Sequence, residues 1–290
     1  MVRLSSLKDP RWYQILVLTS LLAFGMIAQA FEISITQIAA IMITALGTQW
    51  LGSTLFAIRT DLKSPLITAL SLSLLLRADG IMPLMIAAAI AIGSKFLFRI
   101  KGKHLFNPAN FGIVVVVLLM GSAWTTPGQW GTAIWFAALL AGVGMFVTYR
   151  AARIDVPLIF LATFTILIFI RALWLGDPLS IPLLRLQNGA LILFAFFMIS
   201  DPKTTPDTFW GRMIFATGAA ILAYIMTYHF YLNDGLFYAL AIMTLIRPIM
   251  DILAKAPAYQ WGDKPQIFTD LATSKPSTPI KPIPQPGRAQ

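Results

Sequence analysis

Apolar and polar positions alternate along the chain in long blocks: ten apolar stretches, at residues 12–31, 35–58, 66–76, 82–100, 111–124, 132–149, 156–175, 183–200, 213–231 and 235–253, are separated by short polar turns. Blocks such as 157–170 have the look of single helices crossing a hydrocarbon layer. The third and fifth are shorter than the roughly 20 residues a full crossing needs, which predicts tilted, broken or re-entrant segments sheltered by their neighbours. Such segments often line a site. The expected fold is therefore all-α, a polytopic integral membrane protein of about ten transmembrane helices.

The polar turns carry the orientation. Of 22 Lys and Arg residues, only Arg77, Arg171 and Arg185 fall outside when the N-terminus is placed in the cytoplasm. An odd number of spans would destroy that asymmetry, so the positive-inside rule predicts an even count and two cytoplasmic termini. The first block follows Arg3, Lys8 and Arg11 and, with further spans after it, reads as an uncleaved first helix. Superposing the halves at an offset of 131 residues aligns Gly80 with Gly211, Ala88-Ala89 with Ala219-Ala220, Ile90 with Ile221 and Leu105-Phe106 with Leu236-Phe237. Two units of five spans enter from opposite sides, so the expected repeat is a 5+5 inverted pair with sites near its midplane. The organisation predicted is a cytoplasmic N-terminus (1–11), a transmembrane domain (12–253) and a disordered Pro-rich cytoplasmic tail (254–290).

Composition narrows the chemistry. With 58% apolar and 12% charged residues and a mean hydropathy of +0.76, the chain is too apolar for soluble domains, and the lipid bilayer is its expected solvent. The net charge of +10 does not imply nucleic acid, because the basic residues sit in turns between apolar blocks and form no aromatic-studded face. The absence of cysteine removes thiolate chemistry, Cys-ligated zinc and Cys-ligated iron–sulfur clusters, so redox work would need an organic cofactor.

Two segments concentrate polar groups at helix ends. Phe196-Phe197-Met198-Ile199-Ser200-Asp201-Pro202-Lys203-Thr204-Thr205-Pro206 combines hydroxyls, a carboxylate and two prolines. The prolines end the eighth helix, and the plain reading makes Ser200, Asp201, Thr204 and Thr205 partners of freed backbone groups or caps of the ninth. His104-Leu105-Phe106-Asn107-Pro108-Ala109-Asn110 precedes the short fifth span. Its amides suit the edge of an uncharged heterocycle better than a metal, although two Asn at a helix start are more often caps.

Few ionisable residues lie inside the spans. Glu32, Asp155 and Arg171 fall near predicted ends, where interfacial solvation is the expected role. Arg247 and Asp251 can pair on one helix face. His104 and His229 sit at opposite ends and cannot share a metal. Thr44, Thr48, Gln49, Thr68, Ser71, Ser73, Thr163 and Thr165 either pack helices or line a neutral-ligand cavity. No nucleophile elbow, phosphate loop or His-rich spacing supports a hydrolase or an ATP-driven pump.

The Phe-Phe-Met-x-x-Asp-Pro-x-Thr-x-Pro run at 196–206, the Phe106-Asn107-Pro108-Ala109 step, and Asp234-Gly235 opening a last span that ends Arg247-Pro248-Ile249-Met250-Asp251 resemble the NqrB and RnfD family of membrane redox subunits. The short chain resembles a compact, stand-alone branch that includes enediyne-biosynthesis proteins of the UnbU type. The resemblance implies a ten-span electron-transport subunit of the bacterial cytoplasmic (inner) membrane that holds flavin and works with other membrane or soluble redox subunits, in complexes that couple electron flow to ion transport. The Ser/Gly-Ala-Thr segment that carries covalent FMN in that family has no counterpart here. The expected cofactor is thus a non-covalent flavin, FMN or riboflavin, bound by Asn107, Pro108, Asn110, Ser200, Asp201, Lys203, Thr204 and Thr205. A channel or transporter for a small neutral solute, and a non-catalytic helper subunit of a biosynthetic redox system, are the alternative readings.

Overall fold

The computed structural model describes residues 9–100, 102–254, 256, 257 and 259. Eleven α-helices make up most of it: α1 (Pro10–Ala28), α2 (Ile35–Leu55), α3 (Lys63–Leu75), α4 (Met82–Leu97), α5 (Pro108–Leu119), α6 (Ile134–Arg150), α7 (Asp155–Leu175), α8 (Ser180–Leu186), α9 (Gly189–Leu193), α10 (Phe209–Tyr228) and α11 (Gly235–Leu253). By length and composition, α1, α2, α7, α10 and α11 can cross a membrane, and 180–186 with 189–198 forms a sixth candidate bent by 48°. α3, α4, α5 and α6 are shorter apolar helices. All ten apolar blocks are thus helical, and the protein is an all-α polytopic membrane protein. Large apolar side chains, Ile27, Leu55, Trp174 and Leu253 among them, lie exposed on its outer surface, as a lipid-facing bundle requires.

Local signals set the helix starts. Asp9 caps α1, Ser34 and Gln37 form a capping box at α2, Asn107 caps α5, Asn188 caps α9 and Thr208 caps α10. The cap of α10 is Thr208, and of the two roles expected for Ser200, Asp201, Thr204 and Thr205 the structure shows the bonding of backbone groups. A correction concerns the eighth block, expected as one continuous span. It breaks at Gln187-Asn188, where the Asn188 side chain accepts from the amides of Ala190 and Leu191 and restarts the helix.

The two short helices are completed by strands. Thirteen residues of α3 and twelve of α5 rise about 20 and 18 Å at ~1.5 Å per residue, against a hydrocarbon core of about 30 Å. β1 (Leu76–Ala78) continues α3, β4 (Ala123–Thr125) follows α5, and the two pair antiparallel, Leu76 opposite Thr125 and Ala78 opposite Ala123. Three extended residues add about 10 Å. The pairing satisfies backbone groups that lipid cannot. A shorter pair, β2 (Arg99–Ile100) with β3 (Lys103–His104), closes the turn between α4 and α5.

The halves reuse one packing scheme. α4 packs on α5 and on α2, as α10 packs on α11 and on α7; α3 packs on α1 and α2, as the 189–198 segment packs on α6 and α7. Left-handed residues end equivalent helices, Ala30 after α1 and Ala152 after α6, Ala57 after α2 and Gly176 after α7. Small residues permit the closest approach: a Cβ on Gly112 of α5 would lie 2.5 Å from the Ala87 carbonyl oxygen of α4.

Candidate functional site

The 189–198 segment begins as α9 and widens into a π turn over Phe194–Met198, in which the Ile199 amide donates to the Phe194 carbonyl at 3.1 Å. Such turns add a residue to the helix and frequently accompany functional sites. Gly144 of α6 makes room for it, since a Cβ there would sit 2.6 Å from the Phe196 Cβ. The chain then folds tightly on Asp201. Its carbonyl receives the amides of Thr204 and Thr205, both at 3.1 Å, and its carboxylate receives the Lys203 amide at 3.0 Å. The Ser200 hydroxyl donates back to the Phe196 carbonyl.

Asn107 joins this turn to the other one. Its side-chain oxygen accepts the Asn110 amide, capping α5, while its nitrogen donates to the Met198 carbonyl at 3.3 Å and the Asp201 carboxylate at 3.4 Å. The two segments singled out in the sequence are therefore neighbours across 91 and 94 residues of chain.

Both open on one cavity of about 230 Å³. Asn107, Pro108, Ser200, Asp201 and Lys203 line it. Asn110, Thr204 and Thr205 do not. Asn110 donates to the Phe237 carbonyl of α11 at 3.1 Å, and both threonines are fully buried in the turn with their hydroxyls on the Asp201 carbonyl. Of the neutral polar residues noted in the spans, Gln49, Thr68 and Ser71 reach the wall. Phe96, Phe196 and Phe197 supply aromatic surface, and Arg11, Arg59, Lys95, Arg99 and His104 supply most of the remaining polar groups. The four basic residues were read from sequence as orientation markers, and His104 as the start of the 104–110 segment. The usable signal was Lys95, an ionisable residue within an apolar block.

Electrostatics at the two turns follow from burial. His104 is driven down to about 3 by burial and by Lys95, Arg99 and Lys203, so its ring is neutral, and its Nδ1 is buried without a partner. Burial pushes the Asp201 carboxyl above its ordinary range, against the Lys203 amide and the nearby lysines.

Behind the Asp201 turn lies a network of buried ion pairs. Lys103 reaches Asp207 at 2.9 Å, Asp251 at 3.7 Å and the Thr205 carbonyl at 2.9 Å. Arg247 pairs with Asp251 at 2.8 Å, as the sequence spacing predicts, and also donates to the His104 carbonyl at 3.0 Å. Asp155, expected to be solvated at a helix end, is instead paired with Arg212 at 2.6 Å inside the bundle. Arg153, lowered to about 10 by burial and by Arg212, stacks on Tyr259 with 4.8 Å between guanidinium and ring. Lys203 donates to the Tyr259 carbonyl at 2.9 Å. Tyr259, within the segment expected to be a disordered tail, is thus packed on the site turn; most of the remainder of 254–290 lies outside the described residues.

A bundle of apolar helices holding a polar, cation-rich cavity beside broken or shortened helices defines a polytopic membrane protein with one candidate site. Residues 116–260, half of the chain, match the model of the NQR2, RnfD, RnfE family, and the chain belongs to that family. The match holds the 196–206 run and leaves out the 104–110 segment. The D subunit of the ion-translocating oxidoreductase complex from Escherichia coli O139:H28 (strain E24377A / ETEC) is 30% identical over 142 residues, 49% of this chain and 38% of that protein. Its namesake from Citrobacter koseri is 30% identical over the same length, and that from Escherichia coli O1:K1 / APEC is 31% identical. The aligned part thus spans well under half of these relatives.

Proposed function

We propose that this protein is a membrane electron-transport subunit of the kind its relatives' names describe, and that it holds a flavin, FMN or riboflavin, non-covalently in the cavity between the 107–110 and 200–206 turns. One observation carries the reading: Asn107 hydrogen-bonds into the Asp201 turn, and both turns open on the same enclosed space. The residues present fit such a ligand. Phe96, Phe196 and Phe197 offer flat apolar contact, Asn107 and the unpartnered His104 Nδ1 offer hydrogen bonds to ring edges, and Ser71 and Ser200 add hydroxyls. The volume of about 230 Å³ is below the roughly 300–1,000 Å³ of pockets that enclose a whole drug-sized ligand, so the ring system sits inside and the side chain emerges at the mouth.

Flavin, when bound, supplies electron transfer in one- or two-electron steps. The protein's part is to hold it and to set its surroundings. Asn107 and His104 orient the ring edge, the phenylalanines keep water from its faces, and Lys203 places a positive charge beside it. In this reading the basic end faces the cytoplasm, the membrane is the bacterial inner one, and the partners are other membrane or soluble redox subunits.

The test is a spectrum of the detergent-purified protein before and after acid precipitation. Flavin bands that move to the supernatant support the reading. A colourless protein that also fails to bind added FMN and riboflavin overturns it. The bent α8–α9 pair favours one alternative, a channel for a small neutral solute; proteoliposome uptake without any redox partner would support it, and the excess of cations around the cavity argues against it.

A further inference from the structure

The cations around the cavity are not matched by acids. Arg11 is consumed by Asp9 and Asp61, and the Asp201 carboxylate already accepts from the Lys203 amide and Asn107. Arg59, Lys95 and Arg99 remain. Among the described residues none of the three has a carboxylate within ion-pair distance, and all three line the cavity.

Lys95 is the informative one. It is only 6% exposed, and its ammonium, which carries three donors, makes a single hydrogen bond, to the Gln49 side-chain oxygen at 2.8 Å. Gln49 is held for that role by donating its own nitrogen to the Ser53 hydroxyl at 3.1 Å. A neutral amide does not compensate a buried positive charge, and a charge left unpaired away from water is costly. Arg59 and Arg99 are exposed and lie at the open side of the same space. A buried ammonium and two guanidiniums around one opening are suited to a dianionic phosphate, for which Lys acts as a point charge and Arg as a planar fork.

We infer that the cavity takes its ligand as a phosphate monoester, with Lys95, Arg59 and Arg99 as the phosphate subsite, so that FMN and not riboflavin is the flavin it selects. This rests on the flavin reading and deepens it. The phosphate supplies the missing negative charge, and the ring lies against Phe196 and Phe197.

Binding of FMN and riboflavin to the full chain in neutral detergent, read by flavin fluorescence, tests the inference. FMN binds about tenfold or more tightly than riboflavin, the equivalent of about 1.4 kcal/mol, and the preference shrinks as salt is raised. Lys95→Met removes the preference and leaves riboflavin affinity near that of the parent. Arg59→Gln and Arg99→Gln, at exposed positions that leave folding intact, each lower FMN affinity alone. Millimolar inorganic phosphate displaces FMN and leaves riboflavin in place, whereas added phosphatidic acid displaces neither.

Equal affinities for the two flavins in the parent overturn the phosphate subsite and leave the flavin reading standing. Binding of neither flavin overturns both. Displacement of FMN by phosphatidic acid overturns the assignment to a soluble ligand and makes the site one for a lipid phosphate. Unchanged FMN affinity in both arginine variants overturns their role even where Lys95→Met fails to fold.

Discussion

His104 and Asp207 show how much a single side chain in this protein depends on what surrounds it. His104 is neutral because burial and three cations oppose its protonation. The protein has two histidines, so a His229→Gln background isolates it. Its imidazole ¹⁵N shifts should be those of a neutral ring throughout pH 5 to 8; a titration near the ordinary histidine value of about 6.5 would contradict the described surroundings. Asp207 accepts from Lys103 and from the Tyr259 amide. Asp207→Asn leaves a buried ammonium less compensated and should cost about 3 kcal/mol, read as a lowered melting temperature in detergent and as earlier proteolysis near Tyr259. Asp9 provides the pH-dependent case. Burial alone would raise its pKa, but hydrogen bonds from Arg11 and Lys63 outweigh it and hold the carboxyl at about 2. A depressed acid stabilises above its unfolded value, about 3.9, and its contribution is lost as pH falls towards 2. Asp9→Asn should therefore lower the melting temperature at pH 7 and make progressively less difference below pH 4.

At the scale of elements, the sequence was most legible where length alone decides. Blocks three and five are too short to cross, and α3 and α5 are short helices. Their completion by β1 and β4 left no mark, because a three-residue strand has no periodicity to read. The break before α9 did leave one, the polar pair Gln187-Asn188 inside an apolar stretch, with Asn at a position where it caps. The chain has no cysteine, so the register of the strand pair can be tested cleanly. Ala78→Cys with Ala123→Cys, directly opposite each other, should form an intramolecular disulfide on mild oxidation. Ala78→Cys with Thr125→Cys, displaced along the strand, should not.

For the whole molecule, the all-α membrane fold was readable because the bilayer imposes long apolar runs, whereas the number of full crossings was not, since only five helices, or six with the bent pair, are long and apolar enough to span. The site was half readable. Asn107, Ser200 and Asp201 stood out by composition, and the structure brings them together. Arg99 did not, and Lys95, although an ionisable residue within an apolar block, left its direction open, since a helix apolar on all sides gives no hint whether a terminal cation points to headgroups or inward. The proposed orientation can be checked directly. Leu62→Cys, beside Asp61, and Leu179→Cys, beside the α7–α8 turn, are exposed positions. They should react with a membrane-impermeant maleimide from opposite sides of sealed vesicles, and labelling of both from one side would reject it.

The antiparallel strip between β1 and β4 also constrains how the chain is made. Leu76–Ala78 emerges from the ribosome some 45 residues before its partner, and nothing in hydrocarbon can take the place of that partner. Until residue 125 has been synthesised, α3 has to wait in the translocon or at the water interface. Nascent chains cut at residue 115 should therefore remain extractable by alkali around residues 63–78, and those cut at residue 150 should not.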